Sequence, residues 1–533
     1  MNKIIRIFAI LAVLIPFSVN QSCIDLDEVI YSEVLSENFY NTEEEIISAL
    51  APAYGNLRNL AHRHMWHIAG YSTDEILYPT RGRHWYDGGH FQRFHEHTWT
   101  PEIPHLNNTW NLPFRFVNQS NMLVLQLQQL DNINPELRDA FIAELKMIRA
   151  LGYWHLIDNF GNVPIVDRFD VEPGFSPPNH SNFQTGRQQV FDFIKSDIIE
   201  NIDKLNPSKD RSTYGRFHKW AAHALAVKLY INAEVWTGTQ RWDDAIAHAD
   251  AIIDSELFQL EPNYFTNFLA ENSGSNENIF VVPFNETQTG GNMSNMAFIN
   301  FHHYQMGRVF GTPRGGNNGV SAMPSHYHSF HEDDIRRRGW MVGLQRNAST
   351  GAVLLCTEES APNPLEYTAD FVNIYDPDDQ SVYDHRNALE YHGARFVKYE
   401  IAYTSGNMGN DLAVYRLADI LLLKAEALMR KNGGNATQEA VDLVNQLVIR
   451  AFEDPGPHLY TTATLTLDEL LAERSRELYN EGMRRNDLVR FGKFVRGTWE
   501  FVDRSNEQDF RNVYPIPQNQ INVNPNLNQN PGY

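Results

Sequence analysis

Residues 221–253 read AAHALAVKLYINAEVWTGTQRWDDAIAHADAII, and this stretch constrains the fold more than any other. It contains helical patterns over 216–236 and 241–254, separated by a short turn. Trp242, Ala245, Ile246, Ala249 and Ile253 form one apolar stripe at helical spacing. The alanines stand where neighbouring helices must touch closely. A second stretch, LADILLLKAEALMRKNGGNATQEAVDLVNQLV at 417–448, repeats the scheme. Both are similar in length and small-residue placement to tetratricopeptide units of ~34 residues. Such units stack and bury a continuous core between neighbours. The repeats are degenerate here, so spacing alone gives a frame of antiparallel helix pairs and does not establish the repeat.

Further helices fit that frame. Thr42-x-x-Glu45 is a capping box, with Ile46, Leu50, Tyr54 and Leu57 following on one face. The spacing predicts helices over 108–130, 136–157, 187–204 and 467–480. Leu417, Leu421, Ala425 and Leu428 mark another, stopped by Gly433-Gly434, and Ala440, Val441, Val444 and Leu447 begin the next. The regions 61–105 and 262–410 break the pattern. They are rich in aromatic, Asn, Gly and His residues, and loops of that length are functional or disordered. Their aromatic content argues for order, so long loops on a helical frame suggest a binding protein.

The net charge of −22 disfavours a nucleic-acid partner, which needs a concentrated basic face. The chain begins MNKIIRIFAILAVLIPFSVNQSCIDLDE. A basic start, a short apolar run and polar residues describe a secretory signal, and the run is too short to span a bilayer, which takes ~20 residues. A signal ending directly before Cys23 suggests a lipoprotein cleaved there and acylated on the new terminus. Asn20, Gln21 and Ser22 match the usual lipobox poorly, so on the leader alone ordinary secretion with a spare thiol stays open. If Cys23 is acylated, Cys356 has no partner and a disulfide framework is excluded.

Motifs in four stretches resemble those of the SusD/RagB family. ELKMIRALGYWHLIDNFGNVPIV (144–166) carries Glu144, Arg149, Ala150, Tyr153, Phe160, Gly161, Val163 and Pro164. VYRLADILLLKAEALMRKNG (414–433) carries Tyr415, Arg416, Ala418, Asp419, Ala425 and Glu426. LLAERSRELYNEGMRRNDLVRFGKF (470–494) carries Glu473, Arg474, Glu477, Leu478, Glu481, Gly482, Arg484, Asp487, Leu488 and Arg490. The tail YPIPQNQINVNPNLNQNPGY (514–533) resembles the family's closing signature. The resemblance implies a SusD-like all-α fold: a signal peptide over 1–22, a lipidated tether over 23–41, and N- and C-terminal parts of one compact fold over 42–261 and 262–533. It implies an outer-membrane, cell-surface lipoprotein anchored through Cys23. Asp25, Asp27 and Glu28 resemble the acidic surface-export tag of Bacteroidetes lipoproteins. The implied function is capture of nutrient, most often glycan, as a lid on a TonB-dependent transporter of the SusC type.

Charge in ERSRELYNEGMRRNDLVR could be mistaken for catalytic chemistry. At four-residue spacing Glu473, Glu477 and Glu481 would repel one another unless arginines such as Arg474, Arg476 and Arg484 pair with them. The expectation is an internal ion-pair network that orients helices, with Glu144, Arg149, Arg416 and Asp419 in the same class. Pro515, Pro517, Pro525 and Pro531 exclude a helical tail and predict an extended strap.

Sugars present apolar C–H faces, which stack on aromatic rings, and hydroxyls, which pair with Asp, Asn, Arg or Gln. The stretch at 69–101 supplies both kinds in Asp74, Arg81, Trp85, Tyr86 and Trp99; Tyr304, Asn317, Asn318 and Trp340 do so in the second half. His326, His328, His331 and Glu332 could ligate a metal but lack a zinc spacing, so no metal site is expected. Calcium, which several family members hold, could be bound by Asp376, Asp378 and Asp379. No catalytic residues are assigned and no enzyme is expected: no nucleophile elbow, phosphate loop or zinc helix occurs. The competing readings are peptide capture by the same lid arrangement and, less favoured, a surface glycosidase.

Overall fold

A computed structural model describes residues 42–533, apart from 67, 83, 131–132, 288–300, 359–360, 372–387, 403, 405–406, 499 and 502–507. The leader, Cys23, the acidic residues after it, and Asp376, Asp378 and Asp379 lie outside the described residues. By internal packing the chain divides into Met1–Ser48 and Ala49–Tyr533. The described part of the first unit is the start of helix α1 (Glu43–Leu57). There the expected capping box forms reciprocally, Glu45 N donating to Thr42 Oγ1 at 3.2 Å and Thr42 N to Glu45 Oε2 at 3.1 Å.

The second unit is built on α2 (Pro104–Gln128), α3 (Pro135–Phe160), α4 (Phe183–Ile199), α5 (Lys219–Ile231), α6 (Trp242–Ile253), α7 (Leu417–Lys431), α8 (Gln438–Ala451), α9 (Leu467–Leu478) and α10 (Arg484–Arg490). Their starts follow local chemistry. Asn134, Asn182, His218, Thr437 and Thr466 each accept a hydrogen bond from the first turn of the helix they precede. Successive helices pack as a row, α2 on α3, α3 on α4, α5 on α6, α6 on α7 and α7 on both α8 and α9. The expected small-residue contacts are there: Ala221, Ala222, Ala224, Ala226, Ala245, Ala249, Ala418, Ala425 and Ala427 are all buried. Gly152 shows how closely α2 and α3 approach, because a Cβ there would stand 2.9 Å from the Pro113 carbonyl oxygen.

Irregular chain occupies much of 61–105 and 262–410, as expected, but it is pinned by strand pairs that periodicity did not reveal. Asn278–Val282 pairs antiparallel with Leu412–Arg416, and two-residue pairs join Ile76–Leu77 to Ser321–Ala322, Trp340–Met341 to Arg395–Phe396, and Gly343–Leu344 to Glu366–Tyr367. The fold remains mostly helical. The tail departs from expectation in one place: Gln518–Val523 is a short helix, because Pro517 sits at its start, where no donor is needed. The rest is a strap fastened by amides. Asn530 Nδ2 donates to the Phe160 and Tyr514 carbonyls, Asn528 N to Asn179 Oδ1, and Asn524 Nδ2 to the Pro177 carbonyl.

Charge density in α9 and α10 is structural. Glu477 accepts from Arg336, Arg416 and Arg450 at 3.2, 3.1 and 2.6 Å. Glu473 pairs with Arg336 and Arg476, and Glu481 with Arg416 and Lys398. Arg474 bridges Asp419 and Asp487, and Arg490 bridges Glu426 and Asp487. Arg149 pairs with Asp197 and Glu144 with Arg216. All these carboxylates are buried. Burial by itself would raise the pKa of Glu426, Glu473 and Glu477, but the neighbouring arginines outweigh it and hold each at about 2.

Candidate functional site

Three distant stretches, 76–95, 301–322 and 353–395, meet through the short strand pairs. Leu77 is opposite Ser321 and Ile76 opposite Ala322, while Arg81 bridges to Ala388. The meeting encloses a cleft of about 580 Å³ walled by Tyr304, Gln305, Arg308, Arg314, Thr357 and Glu358. His84 reaches it from the first stretch: its ring lies 6.2 Å from that of Tyr304, edge to face, and its Nε2 is 2.7 Å from Glu358 Oε2. Next along the chain, Trp85 donates from Nε1 to the Asn317 carbonyl at 2.8 Å. Its indole leans on Tyr78, with centroids 5.1 Å apart, and Tyr78 stacks on Phe91 at 4.1 Å. Gly319 is required beneath that ring, since a Cβ would come within 2.9 Å of Trp85 Cε2. Trp85 itself has φ +64°, a left-handed backbone that turns the indole toward the 317–319 loop.

Of the residues singled out from sequence, the structure assembles Trp85, Tyr304 and Asn317, with Tyr86 exposed beside Trp85. The others are corrections. Trp99 is fully buried (0% exposed), its Nε1 donating to Tyr533 Oη at 2.6 Å, so it anchors the tail strap. Trp340 is buried in an aromatic core with Phe396 and Tyr479 at 5.5 and 5.3 Å. Asp74 is held bidentately by Arg484 at 2.7 and 2.6 Å, which keeps its carboxyl below the ordinary range against the effect of burial. Arg81 and Asn318 are buried as well. Arg81 donates to the Asn318 and Leu389 carbonyls and to Ser321 Oγ. Asn318 Oδ1 accepts from Arg395 at 2.9 Å. Neither is among the residues that wall the cleft.

His84, Arg308, Arg314, Thr357 and Glu358 were missed. His84 stood inside a stretch already chosen, but nothing in the sequence marks Glu358, whose position depends on a buried neighbour. Glu390 accepts from His303 Nε2, Thr357 N and Oγ1, and Glu358 N. Burial opposes the Glu390 charge, yet those hydrogen bonds prevail and hold it at about 2. It thereby fixes the backbone that presents Thr357 and Glu358.

His326, His328 and His331 diverge toward separate partners, Ser475, Asp370 and Asp333. No cluster of three or more possible metal ligands occurs among the described residues. A larger cavity, of about 610 Å³, lies between segments 209–218 and 273–281. Two of its polar groups are spent internally, Lys209 Nζ donating to the Leu257 and Asn276 carbonyls and the Tyr214 hydroxyl to Asp411, while the buried Asn278 side-chain amide in its wall has no hydrogen-bond partner among the described residues. The smaller Tyr304 cleft, where a ring stands beside guanidinium, amide and carboxylate groups, is the better match to a sugar.

Two family models match the chain in succession. One, described as starch-binding and associating with the outer membrane, covers residues 26–231; the other, the SusD family, covers 271–533. The chain belongs to the SusD/RagB family. The starch-binding protein SusD of Bacteroides thetaiotaomicron is 29% identical over 73% of this chain and 72% of its own length. SusD-like protein P25 of Formosa agariphila is 23% identical over 95% of each. Among solved SusD-family folds, a laminarin-binding SusD-like protein superposes with a TM-score of 0.69 at 21% identity, covering 93% of this chain and 100% of that one. Surface glycan-binding protein A of Bacteroides thetaiotaomicron, solved with laminarihexaose, gives 0.66 at 19% identity over 92% and 99%.

Proposed function

We propose that this protein is a non-catalytic receptor that captures oligosaccharide at the cell surface, in the Tyr304 cleft. It is held to the outer membrane by acyl chains on Cys23 and passes its ligand to a TonB-dependent transporter of the SusC type. The observation that carries the reading is the convergence of Tyr304, Arg308 and Glu358 with His84 on one open cleft from stretches far apart in the chain, with the Trp85–Asn317 pair next along the chain from His84. Rings there can stack on sugar C–H faces, while amides, guanidiniums and a carboxylate pair with hydroxyls. The starch-binding and laminarin-binding names of the relatives support the same ligand class.

Glycosidic cleavage uses two carboxylates roughly 5–10 Å apart across the bond. Among the described residues walling the cleft, Glu358 is the one carboxylate, and His84 engages it. That supports binding over hydrolysis. A panel of polysaccharides in native affinity gels tests the reading. At least one polymer should retard the wild type without being shortened, and Tyr304→Ala should abolish the retardation. Retention by none, or ligand breakdown during the run, would refute it. Separately, Cys23→Ala should release the protein from the membrane fraction.

A further inference from the structure

The cleft sits in an electrostatic setting unlike the rest of the molecule. Across the chain acidic residues dominate, with a net charge of −22. At the cleft, two arginines, Arg308 and Arg314, stand in the wall, and two more, Arg81 and Arg395, are buried behind it at 3% and 0% exposure. Arg336, Arg416, Arg474 and Arg490, buried elsewhere, each hold at least two carboxylates, although Arg187 is buried without an ion pair among the described residues. Among the described residues Arg81 and Arg395 form no ion pair either, and they differ from Arg187 in standing together, both donating to Ser321 Oγ. Arg81 donates to the Asn318 and Leu389 carbonyls and to Ser321 Oγ. Arg395 donates to Ser321 Oγ, Asn318 Oδ1 and the Glu390 backbone carbonyl. Arg395 Nε has no hydrogen-bond partner.

Buried guanidiniums that form no ion pair are poorly screened, and with Glu390 the one carboxylate among the described residues acting on Arg81, their field extends into adjoining space. Arg81 adjoins the cleft through the backbone hydrogen bonds it exchanges with His84, and Arg395 through the carbonyl of Glu390, whose carboxylate holds the Thr357 and Glu358 amides of the wall. The local carboxylates, Glu390 and Glu358, are hydrogen-bonded to His303, the Thr357–Glu358 backbone and His84, and they offset part of that field: among the described residues four guanidiniums stand against two carboxylates. Arg308 is exposed at the wall, with Nη1 donating to Gln305 Oε1 at 3.1 Å. Guanidinium groups so placed match carboxylate and sulfate oxygens.

Resting on the glycan-binding reading above, we propose that the cleft selects an anionic glycan, whose ring beside Tyr304 carries a carboxylate or a sulfate ester. Neutral sugars would satisfy the aromatic rim but leave the positive field unanswered.

Matched polymers test this: polygalacturonate against its carboxyl-reduced form, and sulfated laminarin against laminarin, in affinity gels and calorimetry with the full chain. The acidic member of at least one pair should bind about tenfold more tightly, the value of one charge-assisted contact of about 1.4 kcal/mol. The pair that responds identifies the anion as carboxylate or sulfate. Arg308→Glu, an exposed change that should fold normally, should erase that preference, costing the acidic member of the pair more affinity than the neutral one. Equal binding within both pairs, a preference for the neutral members, or equal loss of neutral and acidic binding in Arg308→Glu would overturn the proposal while leaving glycan capture intact. Binding to none of the four polymers would overturn the glycan reading and this inference with it.

Discussion

Replacing Glu477 by Gln keeps the side chain's shape and removes its charge, which makes it the sharpest probe of the internal ion network. Glu477 is 0% exposed and neutralises Arg336, Arg416 and Arg450 together. Glu277, Asp334, Glu473 and Glu481 would remain to share those three cations. Breaking a buried pair from one side costs about 3–5 kcal/mol, because the partner charge is stranded. For a cooperative unit spanning Ala49–Tyr533, an unfolding entropy near 2.1 cal/mol/K per residue gives about 1 kcal/mol per kelvin. The melting temperature should therefore fall by about 3–5 °C in scanning calorimetry. The exposed pair Lys431–Asp243 is the control: Lys431→Gln should cost about 0–1 kcal/mol. A Glu477→Gln protein melting within 1 °C of wild type, on the ~1 °C per kcal/mol scale, would refute the view that this network is a structural keystone.

Other outcomes follow from the same geometry. Glu426, Glu473 and Glu477 are held at about 2 against an ordinary 4.5, so their stabilisation is full above pH 4.5 and is lost as pH falls toward 2. Acid melts should show that decline, steeper in wild type than in Glu477→Gln. Burial pushes Glu75 up to about 8; it opposes folding increasingly as pH rises from 4.5 to 8, and Glu75→Gln should flatten that segment of the stability profile. Trp99→Phe removes the bond to Tyr533 and should cost about 1–3 kcal/mol in stability while leaving glycan affinity unchanged, which separates strap from cleft. Trp85→Phe keeps a ring but loses the bond to Asn317; titration should show glycan affinity falling by less than about tenfold.

Helices were legible because their causes are local. Stripes such as Trp242–Ala245–Ala249 and caps such as Thr42 lie within a turn or two of what they control. The ion network was legible in kind, since carboxylates at four-residue spacing demand partners, although Arg336 and Glu277, which complete it, come from remote loops. Cleft residues were harder. Trp85 and Trp99 look alike in sequence, both set among histidines and aromatics, yet one lines the rim and the other is sealed beneath Tyr533. The difference is made by residues hundreds of positions away. Arg81 and Asn318 fit sugar chemistry by type, but each is consumed by the backbone of the 389–395 segment. Glu358 carried no local signal at all, because Glu390 and His84 determine where it stands.

The cleft is hung from two-residue strand pairs, and the helical row carries the stability. Such a division separates two kinds of inheritance. On the proposed reading, lengthening or rewriting the 84–89, 308–316 or 353–358 segments would change what is grasped while the helices stack as before, so descendants of one ancestral frame could diverge in diet with their scaffolds still superimposable.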